Sequence, residues 1–253
     1  MLAMLTYGEP TALPPLLIVH GLFGSARNWG VISRRMAETR RVVAVDMRNH
    51  GESFWADSHA YPDLAADLAE VIRAQGQPMD VMGHSMGGKA AMWLALTEDQ
   101  LVNRLVVADI APTAYAHSQN HLVDAMRGMD LSNLTLRSEA DRRLASEVSE
   151  EGTRAFLLQS LDLKADPVRW RLNLDLLHAE MDKITGWPDT DRQYTGPALF
   201  LSGSNSRYVR DEHHARITAL FPKARFQQIE GAGHWLHAER PREFEAALRD
   251  FLD

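Results

Sequence analysis

The segment Gly83-His84-Ser85-Met86-Gly87-Gly88 constrains this chain more than any other, because it joins the apolar run Met79–Met82 to the helix-favouring stretch Ala90-Ala91-Met92-Trp93-Leu94-Ala95-Leu96. A serine on so sharp a strand-to-helix turn needs small neighbours, so that the backbone can bend and the helix can approach the strand. The turn pushes the Ser85 hydroxyl into the open. It also leaves the Met86 N–H at a helix N-terminus, where the helix dipole and an unpaired donor favour a developing oxyanion. Ser85 is therefore the candidate nucleophile and Met86 a candidate oxyanion donor.

The rest of the chain supplies a matching frame. Short apolar, β-branched runs recur at Leu16–His20, Arg41–Asp46, Met79–Gly83, Leu105–Asp109, Ala198–Ser202 and Arg225–Glu230, the pattern of buried parallel strands. Between several of them lie helical stripes such as Leu64, Leu68, Val71 and Ile72, ending near Gly76. After the last run, Pro241 suits a first helical turn, and Phe244, Ala247, Leu248, Phe251 and Leu252 form one apolar face. Alternating strands and helices predict an α/β architecture, a mostly parallel twisted sheet with helices on both faces and ligands beyond the strands' carboxyl ends.

From about Ala111 to Thr195 the strand signal gives way to leucine-rich helical stretches, Leu122–Met129, Phe156–Leu161 and Leu172–Leu177. A block too long for a loop reads as a helical cap over the functional edge of the sheet. The expected division is a core of residues 1–110 and 196–253 with a cap of 111–195 inserted after the sixth strand. The short stretch before Leu16 leaves room for little more than one early strand, so a slightly trimmed sheet is expected.

Bulk properties exclude several functions. The net charge of −7, with acidic and basic residues interspersed, argues against nucleic acid as a partner. The absence of cysteine removes disulfides, a thiol nucleophile and a thiolate metal site, leaving cytoplasm as the simplest expectation. Met1–Pro10 lacks the pattern of a secretory signal, and the longest apolar stretch, Leu13–Val19, contains two prolines and is too short to cross a bilayer, so no membrane insertion is expected.

Three further loops carry candidate chemistry. In His20-Gly21-Leu22-Phe23-Gly24-Ser25, directly after a strand, the Leu22 N–H is the candidate second oxyanion donor. In Gly231-Ala232-Gly233-His234-Trp235, His234 is a candidate general base, since neutral imidazole can take the serine proton and later return it to a leaving group; His237 reads as structural. For the acid, the strand Ala198–Ser202 runs into Gly203-Ser204-Asn205-Ser206 and offers no carboxylate, whereas the strand before it ends at Asp109. Asp109 is the expected acid, with Asp175 and Asp211 as rivals. Asp46-Met47-Arg48-Asn49-His50-Gly51-Glu52-Ser53 reads as a structural turn in which Arg48 pairs with Asp46 or a neighbouring loop and His50 packs or caps; no metal site is expected.

Taken together, H-G-L-F-G-S, D-M-R-N-H-G, G-H-S-M-G-G-K, the D-I-A-P after a strand, W-R-x-N and G-A-G-H-W resemble the α/β-hydrolase superfamily over nearly the whole chain. In detail they look like the small YbfF-type esterases and the related eukaryotic abhydrolase-domain esterases. The resemblance implies the α/β-hydrolase fold, whose chain order is Ser, acid, His, and hydrolysis of a small-molecule acyl ester or acyl-CoA thioester through an acyl-enzyme. No cofactor is expected, Phe23 and Trp235 are expected to shape the acyl pocket, and the protein is expected to be a monomer or homodimer. The same fold also hosts lyases, cofactor-free peroxidases and ligand receptors with vestigial sites, which stand as alternatives.

Overall fold

The computed structural model describes all 253 residues. In chain order the core elements are β1 (Met4–Tyr7), β2 (Leu16–Val19), α1 (Gly30–Met36), β3 (Val42–Val45), α2 (Tyr61–Gln75), β4 (Met79–His84), α3 (Met86–Thr97) and β5 (Val102–Ala108). A helical insertion follows, with α4 (Asn120–Gly128), α5 (Arg137–Leu144), α6 (Glu151–Leu157), β6 (Leu161–Asp162), β7 (Arg169–Trp170), α7 (Leu174–Ala179) and α8 (Met181–Thr185). The core resumes as β8 (Ala198–Gly203), α9 (Asp211–Leu220), β9 (Ala224–Ile229), α10 (Leu236–Glu239) and α11 (Pro241–Leu252).

The seven-stranded sheet runs in the order β1-β3-β2-β4-β5-β8-β9, parallel except for the edge strand β1, which pairs antiparallel with β3. Each strand sends alternate residues to opposite faces. Leu17, Val19, Val43 and Val45 join one buried cluster with α2, α3 and the insertion, while Leu16, Ile18, Val42 and Ala44 join the other with α1 and α11. The inner strands β2, β3, β4, β5 and β8 are thus apolar on both sides, which is why they read as continuous runs, whereas the edge strand β9, expected to be buried, exposes Arg225, Phe226, Gln227 and Gln228.

Two details differ from expectation. The insertion leaves the sheet after its fifth strand, β5, not its sixth. The insertion also contains the antiparallel pair β6–β7, two residues on each side and too short for any periodicity to betray. Its α7 accordingly begins at Leu174 and not Leu172, since Trp170 sits in β7 and Leu172 bridges to His50.

At the amino ends of the strands, the fully buried Asp80 accepts from Arg40 Nη1 and Arg104 Nη2, both at 2.7 Å. At the carboxyl ends, the loops after β2, β4, β5, β8 and β9 converge below the insertion. This convergence builds the site.

Candidate active site

Ser85 sits between β4 and α3 with φ +53° and ψ −123°, a left-handed conformation in which a side chain costs of order 1–3 kcal/mol. The neighbouring glycines are sterically required. A Cβ on Gly83 would lie 2.2 Å from the Gly87 carbonyl oxygen, and one on Gly87 would lie 2.3 Å from that of His20. The elbow is fixed by Ser85 N–H donating to Ala108 O at 3.0 Å and by the first helical bond, Lys89 N–H to Ser85 O, also at 3.0 Å.

His234 arrives on the loop after β9. Its Nε2 lies 3.1 Å from Ser85 Oγ, and its Nδ1 lies 2.7 Å from Asp109 Oδ2. The imidazole stacks on the Tyr208 ring at 4.1 Å between centroids. Its loop is held by Glu239, which accepts from Gly233 N–H and Trp235 N–H, and by His84, whose Nε2–H donates to the His234 carbonyl at 2.8 Å.

Asp109 follows β5 directly, with φ +53° and no solvent exposure. Its Oδ1 accepts from Gly203 N–H at 3.2 Å, and its Oδ2 accepts from both His234 and the Ser206 hydroxyl. Asp175 instead pairs with Arg127 on the insertion's surface, and Asp211 lies exposed in the first turn of α9. The structure therefore brings Ser85, His234 and Asp109 together and leaves the two rival aspartates elsewhere.

The serine opens into a cavity of about 510 Å³ whose walls include Leu22, Phe23, Met86, Phe156 and Trp235. The Leu22 and Met86 residues flank Ser85 from the loop after β2 and from the first turn of α3, whose amides have no intrahelical acceptor. Phe23 and Trp235 both face this space, and Trp235 packs against Phe156 of the insertion at 5.5 Å. No group of three or more His, Asp or Glu side chains is arranged to hold a metal ion, and no helix is long and apolar enough to cross a membrane.

Several residues of the site had no sequence signal of their own. Lys89, four residues after Ser85 and 1% exposed, donates to Thr185 O and Gly186 O at the end of α8 and stands over the Tyr115 ring at 4.8 Å. Burial lowers its pKa to about 7. The Asp46–Ser53 turn also departs from expectation. Arg48 pairs with Asp67 of α2, at 2.6 Å, because both Asp46 carboxylate oxygens are taken by the backbone N–H groups of Ala26 and Glu52. His50 packs, as read from sequence, against His20 and His59. His237 is half-buried and stacks on Trp29 at 3.9 Å between ring centroids.

Comparison with known proteins shows the family. Residues 14–241 match the family described as alpha/beta hydrolase fold. The chain is 40% identical over 254 residues to the sn-1-specific diacylglycerol lipase ABHD11 of Mus musculus, covering 97% of this chain and 82% of that protein. It is 38% identical over 242 residues to the esterase YbfF of Escherichia coli strain K12, covering 94% and 93% respectively. The solved structure of a marine microorganism esterase superposes with a TM-score of 0.94 at 36% identity over 99% of both chains. With a family match across most of its length and relatives of this similarity, the chain belongs to the α/β-hydrolase fold family.

Proposed function

We propose that the chain cleaves its substrate through an acyl-enzyme on Ser85, with His234 as general base, Asp109 as the triad acid, and the Leu22 and Met86 N–H groups as the oxyanion hole. The coarser activity is that of a carboxylic ester hydrolase, the class to which its relatives belong. The insertion, residues 111–195, serves as a cap that shapes the acyl cavity and keeps water from it. The observation that carries the reading is the continuous relay Asp109 Oδ2 to His234 Nδ1 at 2.7 Å and His234 Nε2 to Ser85 Oγ at 3.1 Å.

In the first half-reaction Ser85 Oγ attacks the acyl carbon while its proton passes to His234 Nε2. The oxyanion draws on two amides oriented before the reaction begins, which in a water-poor site is worth several kcal/mol. Collapse breaks the bond to the alcohol or thiol, which leaves with the proton from Nε2. Water then gives its proton to the same nitrogen and attacks the acyl carbon, and the bond to Ser85 Oγ breaks as Nε2 returns that proton to the serine oxygen, releasing the acid. Asp109 keeps Nδ1 protonated and stabilises the imidazolium formed in each half. Thioesters follow the same steps, with a thiol as leaving group.

The test is a panel of acyl esters and acyl-CoAs on the wild type, Ser85→Ala and Asp109→Asn, with a fluorophosphonate probe to label the nucleophile. Labelling confined to Ser85 and loss of turnover in both variants are expected. Wild-type turnover by Ser85→Ala would sink the reading.

A further inference from the structure

Phe23 follows Leu22 in the loop after β2 and holds φ +64° although it carries a side chain. That left-handed region is disfavoured for such a residue, so the conformation persists only where neighbours over-determine it. Two contacts grip this residue from different parts of the molecule. His50 Nε2 accepts from the Phe23 N–H at 3.2 Å, and the Ser160 hydroxyl donates to the Phe23 carbonyl at 2.7 Å. Both partners are buried.

The chemistry of each contact is fixed. His50 Nδ1 lies 3.0 Å from the Arg48 carbonyl, which can only accept, so Nδ1 carries the proton and Nε2 presents its lone pair. Burial keeps this ring neutral, its pKa lowered to about 3.

His50 belongs to the core and Ser160 to the cap, and the two are joined by a seam between the D-M-R-N-H-G and W-R-x-N segments. Gly51 N–H donates to Arg171 O at 2.8 Å, Asn173 N–H to Asn49 O at 3.0 Å, and Asn173 Nδ2 to Asn49 Oδ1 at 3.1 Å. Arg171 N–H in turn donates to Ser160 O at 2.8 Å. The seam thus places His50 and Ser160 on either side of the Phe23 backbone.

We infer that His50 and Ser160 are positioning residues that lock the Leu22–Phe23 backbone in the conformation presenting the Leu22 N–H to the oxyanion, so that seating of the cap completes the oxyanion hole. The inference rests on the acyl-enzyme reading given above. Neither residue lines the cavity beside Ser85. Each acts through the Phe23 backbone, and a fault in either would be felt where charge develops and not where the substrate first binds.

The experiment compares wild type, Ser160→Ala, His50→Phe and His50→Gln using a p-nitrophenyl ester and a trifluoromethyl ketone, whose serine adduct carries the oxyanion. For Ser160→Ala, kcat falls about tenfold and the ketone Ki rises by the same factor, while KM stays within about twofold. His50→Phe does the same more severely, and His50→Gln, which keeps an acceptor, recovers most of the loss. Thermal melts establish that each variant is folded, and Ser160→Ala decides alone if His50→Phe is not. A folded Ser160→Ala with wild-type kcat and Ki overturns the inference, as does a fall in kcat with Ki unmoved. Failure of the ketone to inhibit wild type would instead overturn the acyl-enzyme reading, and this inference with it.

Discussion

Asp109 and Ser206 meet across the ends of β5 and the loop after β8, the serine hydroxyl donating to the same carboxylate oxygen that faces His234. Ser206 stands where the sequence offers no carboxylate, and it solvates the carboxylate of Asp109 from the neighbouring strand. Asp109→Asn is expected to lower kcat by about four orders of magnitude, because the amide favours the wrong imidazole tautomer. Asp175→Asn and Asp211→Asn should leave it unchanged. Ser206→Ala removes one of several donors to the carboxylate and should lower kcat by less than about tenfold. Steady-state rates on one activated ester check all four, and wild-type turnover by Asp109→Asn would move the acid elsewhere.

His84 ties the strand that leads into Ser85 to the loop that carries His234, since its side chain, adjacent to Ser85 in the chain, donates to the His234 carbonyl at 2.8 Å. The ring is buried, 4.8 Å from the His234 ring. His84→Leu deletes the donor and lets the loop drift. A displacement of about 1 Å at a reacting group can lower kcat roughly a hundredfold. His84→Gln retains an N–H and should keep most of the rate. The distinguishing measurement is kcat against KM: a change in KM alone would show that the ring acts on substrate binding instead.

Legibility in the sequence followed the locality of the cause. The Ser85 elbow could be read because the clash that bars a side chain at Gly83 comes from Gly87, four residues on, although the clash at Gly87 comes from the distant His20. Asp109 could be read because a strand end fixes where its side chain emerges. Lys89 could not, although it stands in the same G-H-S-M-G-G-K run, because its acceptors at Thr185 and Gly186 lie in the insertion, far along the chain. The Arg48 partner was missed for a related reason. Asp46 is nearer in sequence, but backbone amides saturate its oxygens, and the guanidinium finds Asp67 on α2.

Acid should destabilise this fold earlier than its carboxylates alone would cause. Burial lowers the pKa of His20 to about 4 and those of His50 and His237 to about 3, with His59 and His84 also held well below their ordinary value. An unfolded histidine titrates near 6.5, so between that pH and the lowered values the unfolded chain binds protons that the folded chain refuses. The stability these neutral rings confer is complete above about pH 6.5 and is lost as pH falls toward 3, with a slope of up to about 1.4 kcal/mol per pH unit for each ring. Denaturant melts from pH 7.5 to 4.5 check the slope. His237→Phe, which keeps the stack on Trp29, should flatten it by one proton.

The buried ion cluster at the opposite end of the sheet should separate stability from chemistry. Asp80 is fully buried and faces two guanidinium groups, Arg40 with no exposed side-chain area and Arg104 with 23%. Arg40 also reaches Asp253 and the Leu252 carbonyl, so the cluster ties β4 to the end of α11. Replacing Asp80 with Asn preserves the volume but leaves Arg40 buried beside a neutral amide, and breaking such a pair on one side costs about 3–5 kcal/mol. For a chain of this size that corresponds to a fall in Tm of roughly 6–20 °C. The carboxyl ends of the strands are untouched, so kcat of the folded enzyme at low temperature should match wild type. A normal Tm would mean that the Arg40 charge is neutralised without Asp80, and a reduced kcat in fully folded protein would mean that the two ends of the sheet are coupled.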